Sequence, residues 1–277
     1  MIGFIIGEMA SFWLMRERPL FKKGIGYSIE EMNGLICTRS SLELIKMYQD
    51  HLPAREQHNG LFFRDMNLRQ RDLFHENLRL YRVQPLADDH KHLVFLSTAY
   101  AAGITAVSDT TASLMSPKAS YVWEHSEEFS KASKALSRIT HAAKATNNKK
   151  LVSDFIMNNF NDLYLIGSNI SRCDSSQVRY VETAAIVIRA VISTESFDEA
   201  LRLTYDMSEG CPEMMSMVGG IASQIWGCPA DLQKKTVEAL NKISPNTLAA
   251  MKGAGMMHDS LMPTISRWRH IVKRLKG

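Results

Sequence analysis

A chain of 277 residues with 45% apolar and 22% charged side chains has the balance of an ordinary globular protein, long enough to bury one large core. The net charge of +4 gathers near the end, where residues 264–277 carry Arg267, Arg269, Lys273, Arg274 and Lys276 with no acid, and elsewhere basic and acidic side chains nearly balance. Four scattered cysteines, Cys37, Cys173, Cys211 and Cys228, form no C-x-x-C pair, which excludes a zinc ribbon and a dense disulfide framework and fits reduced thiols in a cytosol.

In chain order, the opening MIGFIIGEMASFWLM lacks a basic leader, contains Glu8 and is too short to span a bilayer. It reads as a buried helix, not as a signal peptide or membrane segment. Gly3 and Gly7 lie one turn apart and permit another helix to come close. Ser28 with Glu31, and Ser40 with Glu43, have capping-box spacing, and the second is expected to open a helix carrying Leu42, Ile45 and Met47 that ends before Pro53. Asn59-Gly60 marks a turn, and residues 65–89 are polar and charge-rich. From His92 to Thr111 the chain is small and apolar, a buried helix with an expected break near Gly103. His90 and His92, two residues apart, cannot share a helical face, and no metal is assigned to them. Residues 126–166 form at least two helices separated at Thr146-Asn147-Asn148-Lys149.

The stretch that organises the chain runs from Arg179 to Gly227. Val181, Ala184, Ala185, Ile188 and Val191 or Ile192 recur at helical spacing, and Ser196 with Glu199 caps a second helix. A third apolar run, Met214–Trp226, holds Gly219, Gly220 and Ala222. Glycine inside a helix costs about 1 kcal/mol against alanine, so its use there points to close packing. The short loop Ser208–Glu213 is then gripped between two buried helices. Pro229 and Pro245 open two more helices, and Ile265, Trp268, Val272 and Leu275 share one face of a basic amphipathic last segment. No stretch of strict alternation competes for a strand. The reading is all-α, with residues 1–277 as a single domain.

The order of a buried helix, an S-F-x-E-A-L-R-L helix, a polar loop and a glycine-bearing helix over residues 178–230 resembles the ADP-ribosylglycohydrolases, including the dinitrogenase-reductase-activating glycohydrolases. The resemblance extends to three further segments. Gly3, Gly7 and Glu8 match a G-x-x-x-G-D motif; Cys37-Thr38-Arg39-Ser40 falls on T-D-D-T; and Asn59, Gly60 and Arg64 match a G-N-G-x-x-M-R loop. The family's Thr-His pair has two candidates, Thr105 and Thr140-His141. The resemblance implies a single large helical domain and Mg²⁺-dependent removal of ADP-ribose from a protein. It also implies Glu8 and Glu213 as catalytic carboxylates if activity survives, and Arg39, Ser40, Asn59, Gly60, Arg64 and Gly210 as ligand-binding residues.

The chemistry departs from that pattern. Thr38 and Arg39 stand where carboxylates are expected, and Glu209-Gly210-Cys211-Pro212-Glu213-Met214 replaces G-G-D-T-D-T. Mg²⁺ requires hard oxygen ligands. Too few carboxylates remain for a two-metal site, so neither a metal nor a cofactor is assigned. A guanidinium from Arg39 between Glu8 and Glu213 is expected to stand in for the missing cations, with the Thr38-Arg39, Asn59-Gly60 and Cys211–Glu213 segments converging on one cleft. The leading reading is a pseudoenzyme that binds a protein partner or an ADP-ribose-like nucleotide, in a cytoplasm or delivered into another cell's cytosol. The alternatives are a divergent active hydrolase and an unrelated helical interaction protein. The basic last segment suits an acidic surface. It lacks the interleaved aromatic residues of a single-strand nucleic-acid binder, and no membrane partner is expected.

Overall fold

A computed structural model of the chain describes residues 1–17, 35–51, 91–116, 127–172, 179–243 and 245–253. Among the described residues every regular element is an α-helix, and the fold is all-α. In chain order they are α1 (Ile2–Glu17), α2 (Ile36–His51), α3 (Lys91–Thr105), α4 (Asp109–Met115), α5 (Glu127–Thr146), α6 (Lys149–Asn169), α7 (Tyr180–Ile192), α8 (Phe197–Ser208), α9 (Pro212–Trp226), α10 (Ala230–Ile243) and α11 (Pro245–Gly253). None is long and apolar enough to cross a membrane.

Helix α9 is the centre. Met214 to Ala222 are buried without exception, as suits a helix with no polar face, and α1, α2, α3, α5, α7 and α8 pack around it. Its closest partner is α1, buried from Gly3 to Ser11. The glycines predicted to admit a neighbouring backbone face each other across this crossing. A Cβ on Gly7 would lie 2.0 Å from the Met215 carbonyl oxygen, and one on Gly219 would lie 2.3 Å from that of Gly3. Gly220 serves another contact: its missing Cβ leaves room for the Tyr100 ring of α3, which stacks on Phe4 of α1 at 4.3 Å between centroids.

A trio of rings, Phe95, Phe129 and Tyr180, joins α3, α5 and α7, with centroids 4.9 to 5.5 Å apart. Helix α6 covers α5 and α7 from outside and is broken at Phe160 (φ −140°, ψ 30°). Buried apolar side chains from all these helices form one continuous cluster.

Several helix ends are as the residues predict. Asn148 accepts from the Leu151 N–H at 3.1 Å, and Ser196 Oγ accepts from that of Glu199 at 3.2 Å. Glu199 returns the bond to the Glu195 N–H, one residue before the capping-box position. Two expectations are corrected. Helix α2 begins at Ile36, so Ser40 is a buried interior residue of the helix and does not cap it with Glu43. The helix over 92–111 breaks at residues 106–108, where Ser108 caps α4, while Gly103 lies inside α3. That glycine is demanded by packing, since a Cβ there would sit 2.3 Å from the Ser137 carbonyl oxygen of α5.

Candidate functional site

Glu8 projects from α1 into the start of α2 and is only 3% exposed. Its Oε1 accepts the Cys37 N–H at 3.1 Å; its Oε2 accepts the Thr38 N–H at 2.9 Å and the Thr38 hydroxyl at 2.6 Å. These amides belong to the first turn of α2, whose N–H groups have no partner within the helix and whose dipole favours an anion. Leu35, the residue before α2, cannot cap it with a side chain and sits at φ 23°. The carboxylate of a distant helix supplies what the local sequence lacks.

Helix α9 starts at the same place. Helix α8 ends through Glu209 (φ 54°) and Gly210 (φ 80°), with the Gly210 N–H bonded to the Tyr205 carbonyl at 3.1 Å, a left-handed reversal that glycine accommodates freely. Pro212 then occupies the first turn of α9, where a missing N–H costs nothing. The Cys211 thiol donates to Glu213 Oε2 at 3.1 Å, and the Cys37 thiol bonds with Ser216, one turn into α9, whose own hydroxyl donates to the Pro212 carbonyl at 2.7 Å.

The result is a polar junction where α1, α2 and α9 meet, of buried Glu8, Cys37, Thr38, Cys211 and Ser216 with half-buried Glu213 at its side. Its electrostatics follow from burial. Desolvation pushes the Glu8 carboxyl up to about 7; the Thr38 and Cys37 hydrogen bonds oppose this rise, and the Glu213 charge adds to it. Desolvation likewise holds both thiols well above the ordinary range, with Glu213 adding to each. A thiol so raised is a poor nucleophile.

Of the predicted site residues, the structure brings Glu8, Glu213 and the Thr38 segment together. Ser40 is buried further along α2, and Gly210 makes the α8–α9 turn. The backbone of Arg39 is in the first turn of α2, and its side chain lies outside the described residues, as do Asn59, Gly60 and Arg64. The groups that meet the Glu8 oxygens come from α2 backbone and Thr38. Cys37 and Ser216 were not named as site residues; the signal was present for Cys37, which falls on the first position of the T-D-D-T motif.

Away from the junction, Thr105 ends α3 and His141 of α5 bonds to the backbone of Ala106, the next residue. Thr105 Oγ1 and His141 Nδ1 are both buried with no hydrogen-bond partner among the described residues. Burial and neighbouring Lys144 lower the pKa of this histidine. Among the described residues, no three His, Cys, Asp or Glu side chains are placed to hold a metal ion.

Comparison with known proteins gives no match to any family model, curated protein or solved structure. The ADP-ribosylglycohydrolase resemblance therefore rests on the order of the short motifs alone.

Proposed function

We propose that the chain is a binding protein with an ADP-ribosylglycohydrolase-like helical arrangement, in which the catalytic carboxylate position has been turned to structural use. The observation that carries this reading is the commitment of Glu8: both oxygens are engaged by α2 and the side chain is 3% exposed, so it is poorly placed to activate a water. The ligand on this reading is an ADP-ribose-like nucleotide or a protein surface.

One observation favours a surviving hydrolase instead. Glu8 and Glu213 interact across the junction, and a carboxyl raised to about 7 is suited to proton transfer near neutrality. A thermal-shift titration with ADP-ribose, with Mg²⁺ and with both, paired with release of ADP-ribose from a modified protein, separates the two. Binding without turnover supports the pseudoenzyme: ADP-ribose at about 100 times its Kd adds about 2.7 kcal/mol of stability, and Mg²⁺ adds none. Stabilisation by both ligands with release of ADP-ribose selects the hydrolase. A chain indifferent to both loses the nucleotide reading and is left as a helical interaction protein.

A further inference from the structure

We propose that the first turn of α2 is a carboxylate-binding cradle in its own right and that Glu8 is its tethered ligand, so that a free monocarboxylate of matching size takes the place once the Glu8 side chain is removed. The helix lacks a cap of its own. Leu35 stands where serine, threonine, asparagine or aspartate would present an oxygen to the second and third amides of the helix, and it has none to present. Those amides, of Cys37 and Thr38, meet the two oxygens of one carboxylate at 3.1 and 2.9 Å, and the Thr38 hydroxyl donates to the second oxygen at 2.6 Å. All three groups are donors on one turn, a set that takes an acceptor with two oxygens, and the dipole of the helix favours an anion over a neutral group there. The ligand in place belongs to a different helix, 30 residues away from Thr38 in the chain.

The size of the free ligand follows from what a substitution deletes. Glu8→Ala removes the γ-methylene and the carboxylate, and these are the heavy atoms of acetate. Alanine also keeps α1 helical, so the cradle on α2 and the backbone opposite it stay in place. Glu8 is only 3% exposed and Thr38 is fully buried, so the space vacated is closed from solvent and admits acetate better than a longer acid. Acetamide has the same shape, but it is neutral and turns an N–H₂ toward a backbone N–H. This inference is independent of any nucleotide binding, because it concerns α1 and α2 in the chain without that ligand.

The test is thermal unfolding of full-length Glu8→Ala in sodium acetate, sodium butyrate and acetamide, against sodium chloride at matched ionic strength, with the unaltered chain beside it. Acetate should raise the midpoint of Glu8→Ala progressively with concentration, and by more than it raises that of the unaltered chain, whose cradle is filled. Butyrate should give less of this excess, and acetamide none. Adding Thr38→Val deletes one donor to a charged group and should weaken acetate by about tenfold or more. If Glu8→Ala does not fold in chloride, recovery of its helical circular dichroism by acetate reads the same rescue. No excess with acetate, in a variant that folds or in one that does not, overturns the proposal. An excess that acetamide reproduces, or that Thr38→Val leaves unweakened, overturns it as well.

Discussion

Glu8 stands between two opposing effects. Three hydrogen bonds stabilise its charged form, and removal from water destabilises that form by more. Its folded pKa, about 7, exceeds the ordinary carboxyl value of 4.5, so between the two the folded chain holds a proton that the unfolded chain has released. The contribution to stability is therefore complete below about pH 4.5 and is lost as pH rises through about 7, a fall of about 3 kcal/mol. This is opposite to the usual behaviour of a carboxylate in an ion pair. Denaturant titrations of the unaltered chain and of Glu8→Gln across this range check it: their difference in unfolding free energy should change by that amount, and a constant difference contradicts the assignment. Cys37 and Cys211 carry the same message in chemical form, since thiols held protonated by burial should label slowly with thiol reagents until the junction opens.

At the scale of elements, the α1–α9 crossing depends on atoms that are absent. Gly7→Ala puts a Cβ against the backbone of Met215, which cannot rotate away, and should destabilise the fold by about 3 kcal/mol or more. Gly253→Ala, in helical backbone with nothing among the described residues within 4 Å of the added Cβ, should instead leave stability unchanged or raise it by about 0.5–1 kcal/mol. Thermal unfolding of the two variants side by side distinguishes a packing requirement from a general intolerance of alanine. Helix ends show a second regularity. The carbonyls at the end of α3 receive Lys144 at Ile104 (2.7 Å), those at the end of α6 receive Arg189 at Gly167 and Ile170 (3.1 and 2.6 Å), and the turn after α7 receives Lys149 at Thr194. These are charges of the sign each helix end prefers, delivered by other helices, and Glu8 likewise supplies the start of α2 with acceptors from α1. Arg189→Met keeps the apolar stem but drops both bonds, and should cost about 1.5–3 kcal/mol, with exchange protection lost first at the last turn of α6. Such long-range caps explain what the sequence did not reveal. Asn148 and Ser196 announce their helices because the cap is within three residues, whereas nothing beside Ile36 marks the start of α2, whose cap lies in α1.

Across the whole molecule, the all-α character and the organising role of residues 179–227 were readable in advance, because helical periodicity and small residues inside apolar runs are local signals with one dominant explanation. The convergence expected of the Thr38-Arg39, Asn59-Gly60 and Cys211–Glu213 segments came from motif order and not from any local rule, and Asn59-Gly60 lies outside the described residues. The protonation of the junction could not be read, because it depends on burial that three separate helices create together. The α1–α9 crossing has a consequence in time. Helix α1 is mostly apolar, and its partner glycine, Gly219, is made roughly two hundred residues after it. At roughly 5–20 residues per second, α1 waits about 10–40 s for the surface it is shaped to meet. Through that interval the nascent chain carries an uncovered apolar helix, and its safe keeping falls to whatever shields emerging chains in the cell.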